Sequence, residues 1–186
     1  MIENFVYIIV LFNIISIILA SKNNRLTWVF GFIANSLTMA LFFKDNHLMS
    51  FIYNIYNSIM CVIGFFSWNK EPKSNELELK QSNILKIMIY FVPLFIIIYI
   101  INIFGLKSNN IILDSIGSAT AIFGSFLLVK KDINAWIFWM FGDIAYITLS
   151  ILTNDYDYLI IYSVLFAFAI YSFIKNKKIL TFINEK

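Results

Sequence analysis

The chain has one cysteine, one histidine, two prolines and six glycines in 186 residues, and only 13% of it is Asp, Glu, Lys or Arg. Each scarcity excludes something. The single thiol, Cys61, leaves no intrachain disulfide, and its place inside an apolar run reads as that of a small packing residue. His47 stands beside Lys44, Asp45 and Asn46 in a short connection. One imidazole and one thiol do not make a ligand set for a structural or catalytic metal. The sequence carries no GxxxxGK[ST], no CxxC, no HExxH and no GxSxG. The common enzyme chemistries therefore have no signature, and the chain reads as a non-enzyme with no cofactor.

The shortage of charge has a counterpart. The chain is 60% hydrophobic, with twenty Phe and ten Tyr, and its mean hydropathy is +0.80. A soluble domain of this length cannot hide so much apolar surface, whereas a bilayer solvates it. Backbone polar groups in hydrocarbon must be paired internally, which leaves helices or a closed barrel. Barrel strands alternate apolar and polar residues, and here the apolar runs are unbroken. The expectation is an all-α integral membrane protein.

A crossing takes about 20 largely apolar residues. The runs between polar breaks predict seven, at residues 4–20, 26–43, 48–68, 84–106, 111–129, 133–153 and 156–174. The first is expected to be a true span and not a cleaved leader, since no Lys or Arg precedes it. The one sizeable hydrophilic connection, residues 69–83, divides the chain into a first three-helix repeat (1–69), a loop with a linker helix (70–110) and a second three-helix repeat with a basic tail (111–186).

Charge then sets orientation. Twelve basic residues fall on one side: Lys22, Arg25, Lys70, Lys73, Lys80, Lys86, Lys130, Lys131, Lys175, Lys177, Lys178 and Lys186. Only Lys44 and Lys107 fall on the other. Cytoplasmic loops hold the excess of Lys and Arg, so the N-terminus is expected outside and the C-terminus in the cytoplasm. The same distribution removes the case for a nucleic-acid partner, which needs a basic face with stacking aromatics.

The halves show a weak self-similarity. Trp28 and Trp136 each follow a basic loop, and seven residues on come Asn35 and Asp143. With one residue inserted, Tyr53 matches Tyr162. An odd fourth crossing gives two three-helix halves the same orientation, a 3+1+3 parallel repeat that brackets a substrate near the midplane.

Asp143 is the only acidic residue well inside a span, and an intramembrane carboxylate marks a site or a pathway. Trp136, Trp139, Asp143 and Tyr146 follow spacings of three, four and three and so share one helix face. Two indoles, a phenol and a carboxylate suit a planar cationic ring, through stacking, cation–π attraction and charge balance. Tyr53, Asn54 and Asn57 lie on the third span, where Ser50, Asn54, Asn57, Cys61 and Gly64 form a small polar face. Their amides can read a sugar or carboxamide, or can tie helices together. Asn35 and Tyr162 are candidates of the same kind. Trp68, at the end of the third span, reads as an interfacial anchor. Gly117, Ser118, Ala121, Gly124 and Ser125 read as a close-packing surface.

The stretch NAWIFWMFGD at 134–143 resembles the PnuC family of vitamin transporters, and LDSIGSATAIFGSFLLVKK at 113–131 is similar to the family's preceding helix. Gly124 and Ser125 stand where members of that family often carry a glutamine. The resemblance implies the seven-helix SWEET-like arrangement, a homotrimer in the cell membrane, and facilitated diffusion of nicotinamide riboside, trapped afterwards by a cytoplasmic kinase. Thiamine, riboflavin or a deoxynucleoside on the same frame is the alternative. An ion channel or a non-transporting scaffold is expected to lack the aromatic stripe or the repeat.

Overall fold

In a computed structural model, described for residues 2–44, 48–68, 79–105 and 110–184, the chain is a series of seven helices. They are α1 (Ile2–Ser21), α2 (Leu26–Lys44), α3 (Leu48–Ser67), α4 (Ile84–Gly105), α5 (Ile111–Val129), α6 (Asn134–Thr153) and α7 (Tyr156–Asn184). A helix covers each of the seven predicted runs, and α7 continues ten residues past its predicted end at 174. Four helices among the described residues, within α4, α5, α6 and α7, are long and apolar enough to cross a membrane. Tyr7–Ser21 and Leu26–Ala40 are shorter apolar stretches. Large apolar side chains such as Leu85, Ile89, Tyr90 and Phe104 on α4 lie exposed, which is the outward face that a bilayer requires and water does not tolerate in bulk.

The helices start where Asn or Asp can accept a free N–H. Asn110 Oδ1 accepts from Leu113 N at 3.1 Å, Asn24 Oδ1 from Leu26 N at 2.9 Å, and Asp155 Oδ1 from Tyr158 N at 3.3 Å. Asn23, Lys131 and Asn154 take positive φ at the turns. Gly31, Gly64, Gly117, Gly124 and Gly142 instead lie inside helices, each set against a side chain or backbone of a neighbour.

The chain forms two compact units, Met1–Glu78 and Leu79–Lys186. In the first, α2 packs between α1 and α3. Ser16 and Thr27 clamp α1 to α2, Ser16 Oγ donating to Thr27 O at 2.9 Å and Thr27 Oγ1 to Ser16 O at 2.7 Å. Gly64 of α3 lies under Trp28, where an added Cβ would stand 2.3 Å from the indole. In the second unit α4 packs on α5, α5 on α6 and α6 on α7. Phe91 of α4 meets Phe123 at 5.7 Å and Phe138 at 4.9 Å, which gathers three helices around one aromatic cluster. Asn102 of α4 donates to the Ser115 hydroxyl of α5 at 2.7 Å, a buried polar tie.

Helix starts and turn geometry recur at a shift of 108, from 26 to 134 and from 48 to 156. Asn23 N bonds Ala20 O at 2.9 Å and Lys131 N bonds Leu128 O at 2.9 Å; Asn24 N bonds Leu19 O and Asp132 N bonds Leu127 O, both at 3.0 Å. Thr27 N to Asn24 O and Ala135 N to Asp132 O, both 3.0 Å, complete the match. Tyr53 lies five residues beyond the start of α3 and Tyr162 six beyond the start of α7, so the two tyrosines differ by one position along their helices.

Candidate functional site

The α6 stripe is anchored at its first turn. Segment 80–82, which leads into α4, lies along the α5–α6 turn as an isolated parallel bridge: Lys80 N donates to Lys131 O at 3.2 Å and Ile133 N to Lys80 O at 2.9 Å. The Asp132 carboxylate accepts from Ser82 N at 3.2 Å and from Asn134 N at 3.0 Å, while Asn134 Nδ2 donates to Ser82 O at 2.8 Å. Asp132 and Asn134 are each only 1% exposed. A carboxylate so buried needs hydrogen-bond donors, and the free N–H groups and dipole of the α6 N-terminus supply part of that need.

From this fixed start the stripe climbs α6. Trp136 is 1% exposed and meets Trp139 edge to face, ring centres 5.2 Å apart. Trp139 is half-buried and lies over Gly124 of α5, where a Cβ would stand 2.4 Å from the indole. Two turns on, Tyr146 lies over Gly117 in the same way, at 2.5 Å, and its hydroxyl is 3.2 Å from Ser118 Oγ. The seven-residue interval between the two rings matches that between the two glycines, and Gly142 faces Thr120 between them. The small surface of α5 is therefore a bed for α6 aromatics and not simply a helix–helix seam. Tyr146 also stacks on Tyr162 of α7 at 4.7 Å and 19°, and Tyr162 on Tyr158 at 6.3 Å and 22°. Asp143, between these rings, is half-buried and has no hydrogen bond or ion pair among the described residues.

The first-unit candidates gather differently. Asn54 and Asn57 are buried on the α3 face that carries Cys61 and Gly64. Asn35 Nδ2 donates to Cys61 Sγ at 3.6 Å, so the residue matching Asp143 is spent on α2–α3 packing. Tyr53 is half-buried one residue before Asn54. Trp68 is not an exposed anchor: it is 8% exposed and meets Trp28 edge to face at 5.2 Å. Ser50 and His47 lie outside the residues whose side chains are described.

The sequence model for nicotinamide mononucleotide transporters matches residues 4–178. The chain belongs to the nicotinamide mononucleotide transporter family. Among solved structures, the crystal structure of the vitamin B3 transporter PnuC is similar, with a TM-score of 0.76 at 16% identity over 95% of this chain and 82% of that one. At that identity the likeness establishes the fold. No curated protein sequence matches the chain.

Within this family member, sequence reasoning missed two things: the Asp132–Asn134 clasp and the pairing of each stripe aromatic with its own glycine. The first was hidden in a basic loop, where one acid among lysines reads as solvated. Its signal was the match to Asn24, the other Asx residue four before a tryptophan. The second needed the seven-residue spacings on α5 and α6 to be read together.

Proposed function

We propose that this chain is a uniporter for nicotinamide riboside, working by facilitated diffusion, and not an enzyme. The observation that carries the reading is Asp143: a half-buried carboxylate without a partner among the described residues, set between Trp139 and Tyr146, whose rings are seated on glycines. Charge in a membrane interior is costly and is retained for a pathway or a ligand. A pyridinium ring matches this set. Its plane stacks on the indole, and its charge is drawn to the aromatic face and to the carboxylate. Tyr162, stacked on Tyr146, completes the proposed lining in this unit, and Trp136 backs Trp139.

The same charge argues for the riboside over its 5′-phosphate. The basic residues of 111–186 are Lys130, Lys131, Lys175, Lys177, Lys178 and Lys186, all at the turn or the tail. A phosphate dianion brought to Asp143 would meet like charge at short range with no cation beside it. Supporting the wider frame are the shift of 108 between halves and the twelve-to-two basic asymmetry. We read them as a 3+1+3 parallel repeat with the N-terminus outside; the homotrimer and the cytoplasmic kinase that traps the cargo are what the family resemblance implies.

Proteoliposome uptake tests the reading. Labelled riboside should equilibrate without exceeding the outside concentration, unaffected by a protonophore, and unlabelled riboside should compete better than thiamine or the mononucleotide. Accumulation driven by an imposed pH gradient would overturn uniport, and stronger competition by thiamine would overturn the substrate.

A further inference from the structure

Hydroxyls on these helices have a default partner. Ser36, Thr38, Ser115, Thr120, Ser125, Thr148, Ser150 and Ser163 each donate to the carbonyl four residues back, the usual way to satisfy a hydroxyl on an apolar helix. Ser172 of α7 does not. Its side chain is 0% exposed and its Oγ has no hydrogen-bond partner among the described residues. One turn on, Asn176 is 1% exposed and its Oδ1 is unpartnered in the same way. With Ala169, 2% exposed, they form the buried strip of this end of α7, whereas Tyr171 and Ile174 point outward. Orphaned buried polar atoms are rare in native proteins because each carries its full desolvation cost. Two of them one turn apart, where an i−4 bond was available to the serine, require a reason.

Their position supplies one. Tyr162, Ala169 and Asn176 follow intervals of seven and so share a face of α7. That face begins at the Tyr146–Tyr162 stack beside Asp143. Ser172 and Asn176 lie ten and fourteen residues further, roughly 15 and 21 Å along the helix. Asn176 is flanked by Lys175, Lys177 and Lys178, the end assigned above to the cytoplasm.

We propose that Ser172 and Asn176 form a second substrate station at the cytoplasmic end of the pathway, one that accepts hydrogen bonds from hydroxyl or amide groups of the departing cargo. Asn176 Oδ1 only accepts, so the occupant must offer at least one donor, while Ser172 Oγ can donate or accept. The ribose hydroxyls and carboxamide of a riboside offer both donors and acceptors. The proposal rests on the transport reading above.

The test compares wild type with Ser172→Ala/Asn176→Leu, purified and reconstituted. Replacing both orphans by apolar groups of similar size should leave the thermal unfolding midpoint equal or higher. Riboside affinity, read from indole quenching, should stay within about twofold. The initial uptake rate should fall tenfold or more. Unchanged uptake would overturn the station, as would a midpoint and an uptake rate that fall together, since fixed water would then be holding the fold there. Ser172→Ala alone removes a single oxygen and should slow uptake several-fold in a protein as stable as wild type. If wild type takes up no riboside, the substrate reading fails instead. The station is then judged on stability, where a double variant less stable than wild type contradicts it.

Discussion

The α1–α2 turn and the α5–α6 turn share their backbone and differ in what it carries. Left-handed Asn23 corresponds to left-handed Lys131, and Asn24 corresponds to Asp132, each accepting the N–H two residues ahead. Beyond that point the first turn is exposed at Arg25 and Leu26, while the second is buried at Ile133 and Asn134 and gripped by segment 80–82. Further along, Trp28 leans on Gly64 of the following helix, and Trp139 on Gly124 of the preceding one. Asn35 is used in packing against Cys61, and Asp143 has no partner among the described residues. Duplicated backbone thus supports two assignments: a first unit whose aromatics hold helices together, and a second whose aromatics are held in place for something else.

The sharpest break in this comparison comes from the tryptophans. Trp28→Ala should cost roughly 3–5 kcal/mol of stability, the usual range for deleting a buried tryptophan. Any ligand effect should follow only from unfolding. Trp139→Ala, at a half-buried ring, should cost much less stability but about 1–3 kcal/mol of ligand affinity, borrowing the base–aromatic stacking scale. Thermal unfolding and fluorescence titration of both variants separate the two. Equal profiles would erase the distinction.

Next in size is the pair of turns. Asp132→Ala leaves the buried Asn134 N–H and the half-buried Ser82 N–H without an acceptor, a loss on the order of 3 kcal/mol. Asn24→Ala removes one exposed bond and should cost well under about 1 kcal/mol. A thermal midpoint that falls as far for Asn24 as for Asp132 would deny the clasp its role.

Much of this was legible in advance. Seven helices among the described residues, with bounds to within a few residues except at the end of α7, follow from apolar run length, because hydrocarbon forbids anything but helix over such a stretch. The stripe of Trp136, Trp139, Asp143 and Tyr146 was legible because helix periodicity fixes which residues share a face. What could not be read was which side of a ring is covered. Trp68 has the composition of an anchor and lies buried against Trp28, since only the close approach allowed by Gly64 brings α2 and α3 near enough. Asp132 was obscured for a related reason: one of its donors is Ser82 N, fifty residues away.

The glycines sharpen the comparison further. Gly64→Ala and Gly124→Ala each drive a methyl into an indole, at 2.3 and 2.4 Å. Both should lose about 1–3 kcal/mol to overpacking. Only Gly124→Ala should also shift the ligand-quenched fluorescence and weaken binding several-fold, because only its indole is read as a ligand platform. Binding weakened equally by both would contradict that assignment.

The most direct measurement concerns Asp143, the charge on which the proposed function stands. Titrating purified wild type and Asp143→Asn with nicotinamide riboside, and in parallel with an uncharged nucleoside, isolates the carboxylate from the shape of the site. The cationic ligand should weaken by about tenfold, roughly 1.4 kcal/mol, and the neutral one by less than about twofold. Equal loss for both ligands, or no loss for either in a folded variant, would contradict the account.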